Sequence, residues 1–103
     1  DYLRCYEVGR RVSGKMATLF VAPNDGPCAR LGITATRKLG HAAIRSRLRR
    51  RCREVYRRWE SRADLPCVDI VVNLRHPAVV AEFSDFREGL EGQLSRLLRR
   101  EVA

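Results

Sequence analysis

The chain has 103 residues, of which 45% are hydrophobic and 32% charged, and a net charge of +9. That length predicts one domain, residues 1–103, with a core of modest size. No low-complexity tract, internal repeat, signal peptide or membrane span is present in the sequence. The charge is unevenly placed: between Arg37 and Arg62 eleven bases face only two acids, Glu54 and Glu60, while the other ten bases and ten acids cancel. All of the excess therefore sits in one quarter of the chain, the footprint of a site for a polyanion. Only Lys15 and Lys38 are lysines. A planar guanidinium fork pairs with phosphate and stacks on bases, although a GC-rich genome also enriches arginine.

In chain order, Tyr2 and Tyr6 stand four residues apart with Leu3 between them, and predict a short helix over Tyr2–Glu7 that ends at Gly9. Val12–Gly14 reads as a brief edge strand. "MATLFVA", Met16–Ala22, is an apolar run of strand formers, and "PNDGP", Pro23–Pro27, is a turn. "ARLGITATR", Ala29–Arg37, alternates, with Leu31, Ile33 and Ala35 on one face and Arg30, Gly32, Thr34 and Thr36 on the other. These two runs are expected to pair as antiparallel neighbours. Next comes the basic stretch "GHAAIRSRLRRRCREVYRRW", Gly40–Trp59. Ile44, Leu48, Cys52, Val55 and Trp59 recur at helical spacing and fill a stripe roughly 80° wide. Ser46, Arg49, Arg50, Arg53 and Arg57 fall opposite the stripe, and Arg45, Arg47 and Arg51 flank it. Such a face repels itself without a counter-charge, and arginines at i and i+4 can track successive phosphates. "ADLP" ends the helix, "VDIVVNLR", Val68–Arg75, is a buried strand, and "HPAV" is a loop. Phe83, Phe86, Leu90, Leu94 and Leu97 predict a last helix from near Ser84, weakened by Gly89 and Gly92. The order of elements gives an α+β sandwich with one sheet face solvated or binding a ligand.

Cys5, Cys28, Cys52 and Cys67 form no Cys-x-x-Cys pair, and His41 and His76 lie at no ligand spacing, so no metal site is expected. Cys52 on the apolar stripe and Cys67 beside a strand read as buried free thiols, which favours a reducing cytoplasm. Neither histidine has a Ser, Cys or Asp partner at motif spacing, and no catalytic set is visible. The chain starts at Asp1 without Met; an N-terminal piece ahead of it is expected.

"RLGITATRKLGHAAIRSRLRRRCREVYRRW" followed by "DIVVNLR" resembles the protein subunit of bacterial ribonuclease P. The residues that carry the resemblance are Arg30, Gly32, Lys38, Gly40, Ala42, Arg45, Arg47, Arg50, Arg53 and Glu54. Tyr2, Tyr6 and Gly9 resemble the family's first helix, and "DIVV" from Asp69 its last strand. The chain departs from the family where Ser46 replaces the central asparagine of Arg-Asn-Arg, where His41 replaces a common asparagine, and where Thr36-Arg37 replaces Ser-Lys.

The resemblance implies a two-layer sandwich of ribosomal-protein type, with about four strands, a short N-terminal helix, a long basic central helix and a C-terminal helix. Its strand–helix–strand crossover would be left-handed, against the usual rule. It implies that Lys38, Arg45, Ser46, Arg47, Arg49, Arg50, Arg53 and Arg57 bind the catalytic RNA, one protein copy per RNA. The RNA subunit, with Mg²⁺ held by RNA and substrate, would remove the 5′ leader of precursor tRNA. The protein would hold that single-stranded leader in a cleft lined by Tyr2, Tyr6, Phe20, Thr34 and Thr36, where rings offer sequence-tolerant stacking. The competing reading of those rings is core packing. Two other functions fit the basic helix: a structural RNA-binding protein of ribosomal type without a processing role, and a DNA-binding module. The second suffers because the face lacks the variety of Asn, Gln or Ser used for base readout.

Overall fold

β-Branched and aromatic residues supply the sheet of the computed structural model, which describes residues 10–102. Its strands are β1 (Arg10–Ser13), β2 (Ala17–Pro23), β3 (Arg30–Thr34) and β4 (Val68–Leu74). They lie in the order β1-β2-β4-β3. β1 and β4 both run antiparallel to β2, and β3 runs parallel to β4. The helix expected over Tyr2–Glu7 lies outside the described residues.

The antiparallel pairing expected between Met16–Ala22 and Ala29–Arg37 does not occur, because β4 lies between those two strands. The physical reason is in β4 itself. Val68, Ile70, Val71, Val72 and Leu74 are all buried, so residues of both its faces are covered. A strand of that kind belongs at the centre of a sheet, with neighbours on each side. Pro23 pairs with Val68 and Arg30 with Asp69, so the connection between β2 and β3 must step across the start of β4. Asn24 fixes that step. Its backbone N–H donates to the Cys67 carbonyl at 3.0 Å, and its side-chain amide donates to the Cys28 carbonyl at 3.3 Å and to Asp69 Oδ1 at 3.0 Å. Gly26 N–H donates to Asn24 Oδ1 at 2.7 Å. Cys28, on this connection, and Cys67, just ahead of β4, are both exposed, against the expectation of a buried Cys67.

β3 is also shorter than its alternation predicts. It ends at Thr34; Thr36 caps a 3₁₀ turn, Arg37–Leu39, whose Leu39 is buried. Gly40 follows at φ 138°, a conformation that favours glycine. A Cβ there would lie 2.9 Å from Ile44 Cδ1. The chain then enters α1 (Ala42–Arg58), closed by the buried Trp59. A second 3₁₀ turn, Glu60–Asp64, leads to β4. "HPAV", expected as a loop, contains a helical turn, α2 (Pro77–Val80). Pro77 near its start already has a helical φ and lacks an N–H that would need a partner. The last helix is α3 (Phe83–Val102).

α1 and α3 pack on one face of the sheet. Leu48, Cys52 and Val55 of α1 and Phe86, Leu90, Leu94 and Leu97 of α3 join Leu19, Val21, Ile70 and Val72 in a single core. Burial pushes the Cys52 thiol up to about 12, so it stays protonated as a small apolar side chain. Phe83, expected in the α3 stripe, is 36% exposed, and the buried stripe starts at Phe86. Gln93 is the buried polar residue of α3. Its amide donates to the carbonyls of Val12 at 3.1 Å and Ala17 at 2.9 Å, clamping the β1–β2 turn. Gly14 leaves room for it, since a Cβ there would meet the Gln93 side chain at 2.6 Å. Among the described residues no helix is long and apolar enough to cross a membrane.

Candidate nucleic-acid interface

The first surface is the outer face of α1. With Leu48, Cys52 and Val55 turned to the core, the helical period carries Ser46, Arg50, Arg53 and Arg57 outward, and all four are exposed. Among the described residues no carboxylate pairs with Arg45, Arg49, Arg50 or Arg53, while Glu54 takes both Arg57, at 2.7 Å, and Arg58, at 2.6 Å. Hydrogen bonding to Arg57 holds the Glu54 carboxyl below its usual value, so Glu54 is charged at neutral pH and damps the C-terminal end of the face. The uncompensated part runs from the exposed Lys38 to Arg53. His41 gives α1 no side-chain cap, and its first turn has no acid, so the helix dipole adds positive potential at that end.

The flanking arginines are partly committed to the fold. Arg47 donates to the Val79 carbonyl at 3.2 Å and Arg51 to the Ala81 carbonyl at 3.3 Å, which ties α2 and its exit to the side of α1. The Arg51 guanidinium also lies 5.9 Å from the centre of the Phe83 ring. Arg49, expected opposite the stripe, instead lies one position past the buried Leu48, at the flank: it is half-buried and donates to the Ala35 carbonyl at 3.4 Å. The face therefore has a base of anchored guanidinium groups and an outer row in which Ser46, Arg50 and Arg53 remain open to solvent.

The second surface is the sheet face turned away from α1 and α3. Register puts Arg11, Phe20, Val71 and Gly32 in one row across it, and Ser13, Thr18, Asn73 and Thr34 in the next. Phe20 is half-buried and packs on the buried pair Ala22 and Val71. Thr34 is half-buried in the second row, whereas Thr36, expected on the same face, is exposed beyond the end of β3. Tyr2 and Tyr6 lie outside the described residues. A third row holds Ala22, Asp69 and Arg30. Arg30 Nε and Nη2 donate to the two Asp69 oxygens at 2.7 and 2.9 Å. Those bonds, helped by Asn24, hold the Asp69 carboxyl low despite its burial. Arg11, which no sequence pattern distinguished, joins this face through its pairing with Phe20.

The family model described as Ribonuclease P matches residues 1–98. The ribonuclease P protein component of Clostridioides difficile is 28% identical over 96 residues, 93% of this chain and 84% of that protein. The corresponding protein of Gluconacetobacter diazotrophicus is 35% identical over 101 residues, 97% of this chain and 84% of that one. The solved structure of the RNase P protein from Thermotoga maritima superposes with a TM-score of 0.78 at 30% identity, covering 97% of this chain and 90% of that chain.

Proposed function

The chain belongs to the ribonuclease P protein family, and on that premise we propose that it works in tRNA processing as the protein subunit of the ribonucleoprotein, one copy per RNA, in the cytoplasm. The uncompensated arginine row on α1 carries the reading. Arg45, Ser46, Arg50 and Arg53, with Lys38 ahead of the helix and Arg47 and Arg49 beside the row, contact phosphates of the catalytic RNA. Arg57 contributes less, because Glu54 already pairs with it. The half-buried Phe20 and Thr34 receive the single-stranded 5′ leader of precursor tRNA on the second sheet face, one by stacking and the other by its hydroxyl.

Phosphodiester hydrolysis is assigned to the RNA subunit with Mg²⁺. Among the described residues the carboxylates of Asp69 and Glu54, at the two surfaces, are each paired with arginine. The chain's own contribution is to position the leader and to lower the repulsion between two RNAs.

Reconstitution with a bacterial ribonuclease P RNA and a precursor tRNA tests the proposal. The holoenzyme should bind precursor more tightly than mature tRNA. Phe20→Ala should weaken precursor binding by about 1–3 kcal/mol and leave mature tRNA unchanged. A folded variant that binds both RNAs as the parent does would remove Phe20 from the site. Assembly of the parent protein without discrimination between the two tRNAs would favour a structural RNA-binding role instead.

A further inference from the structure

The ten bases outside Arg37–Arg62 are scattered in the chain, yet folding brings several of them together at the β1 edge of the sheet, which has no further strand among the described residues. β1 is the edge strand on the side opposite β3. Arg96 and Arg100 of α3 reach its backbone, donating to the carbonyls of Ser13 at 3.3 Å and Arg11 at 3.2 Å. Arg75, just after β4, donates to the Gly14 carbonyl at 3.4 Å. Arg11 and Lys15 stand on the same strand and turn, and Arg99 is next to Arg100; all six side chains are exposed. Among the described residues none of the six is paired with a carboxylate. A carbonyl occupies one of a guanidinium's five donors and leaves its charge uncancelled. Covering an edge strand accounts for Arg96 and Arg100. It does not account for Arg11, Lys15 and Arg99, whose side chains make no hydrogen bond or ion pair among the described residues.

Position says what such a cluster can hold. Arg11 pairs directly with Phe20, so both side chains leave the sheet on the same face. A base stacked on Phe20 therefore has Arg11 one strand further out, about 4.8 Å away. Beyond Arg11 is the β1 edge, where Arg96 and Arg100 arrive from the other side of the sheet. The α1 face lies toward the opposite edge, beside β3, and β1 and β3 are separated by three strand spacings, about 14 Å. The cluster is thus a separate anionic site that continues the Phe20 row rather than the α1 face.

We propose that the cluster around Arg11, Arg96 and Arg100 binds phosphates of the distal, 5′ part of the single-stranded leader after it has crossed the sheet at Phe20. The inference rests on the leader-binding reading above and extends it to a second segment of the same strand. It predicts an affinity that grows with leader length until the leader clears the sheet edge.

The test uses holoenzyme assembled with a bacterial ribonuclease P RNA and three ligands: mature tRNA, a precursor whose leader stops at the sheet, and a precursor with a leader twice as long. Arg11→Gln/Arg96→Gln/Arg100→Gln should weaken binding of the long-leader precursor only. The slope of log affinity against log salt for that ligand should fall by about two, at roughly 0.7 for each single-strand phosphate that is no longer neutralised. Arg11→Gln/Lys15→Gln, which removes no backbone hydrogen bond, should move the same ligand in the same direction and guards against a folding defect in the triple variant. Unchanged slopes on the long leader overturn the proposal. So does an equal loss for all three ligands, which would place the cluster on the RNA subunit. If the parent holoenzyme distinguishes precursor from mature tRNA but ignores leader length, only this inference fails. If it does not distinguish them, the leader reading falls as well.

Discussion

Leu48 and Arg53 belong to one helix and answer to different partners. Leu48 is fully buried between sheet and helix, and Leu48→Ala should cost about 2–5 kcal/mol in a urea or thermal melt. Arg53 is exposed and unpaired among the described residues, so Arg53→Ala should leave the melt within about 0.5 kcal/mol and weaken binding to the RNA subunit. Equal destabilisation by both would contradict the observed orientation of α1. Arg49 is a poorer probe, because it also holds the Ala35 carbonyl. Asp69 gives a pH signature. Its folded-state carboxyl is held low by Arg30, so its contribution to stability is complete above the unfolded aspartate value, about 3.9, and is lost as pH falls through the lower folded value. Asp69→Asn should therefore cost about 1–3 kcal/mol at neutral pH and flatten the acid limb of stability below about pH 4. Denaturant titrations across that range check both halves. The stripe residues of α1 were legible from spacing alone. The partners of Arg30 and Asp69 were not, because the pair is formed by two strands joined only through the central helix.

At the level of elements, the entry to α1 is the most constrained junction. Gly40 takes a φ of 138° and sits against Ile44, so Gly40→Ala should destabilise by about 1–3 kcal/mol, partly relieved if Ile44 is shortened at the same time. A double-mutant cycle with Ile44→Val measures that relief, and strict additivity of the two changes would show that the Cβ clash is not the cause. In the sequence this glycine was marked only by the family resemblance and as the first residue of the basic stretch; its conformation was not legible there. The sequence did disclose every strand of the observed sheet. What it did not disclose was their order, and the error at β2 and β3 is instructive. "PNDGP" has the composition of a hairpin turn, and local turn chemistry says nothing about whether a third strand will enter between the two arms. The counter-signal was the apolar run Ile70-Val71-Val72 at the middle of β4, which covers both faces and demands a neighbour on each side. Thr36 was misplaced for a related reason. An alternating pattern continues on paper past Thr34, although the parallel register with β4 ends there.

For the whole molecule, charge is the property that the fold rearranges most. Counting along the chain finds one basic region; counting across the surface finds a second at the β1 edge, assembled from residues as distant as Arg11 and Arg100. Association with the RNA subunit should be strongly salt-dependent. If about six phosphates are neutralised by the α1 face, affinity should fall by roughly a thousandfold between 50 and 200 mM salt, and a salt titration with a flat response would rule out phosphate contact there. The strand order has a further consequence, in time rather than in space. β4 is the common neighbour of β2 and β3 and the last strand to leave the ribosome. Until Val68–Leu74 has been made, β3 has no strand partner, and α1 has only part of the sheet surface on which it packs. Two-thirds of the chain, including the arginine-rich segment, must therefore emerge before the fold can close. During that interval the guanidinium row is borne by an unfinished domain already able to attract nearby RNA.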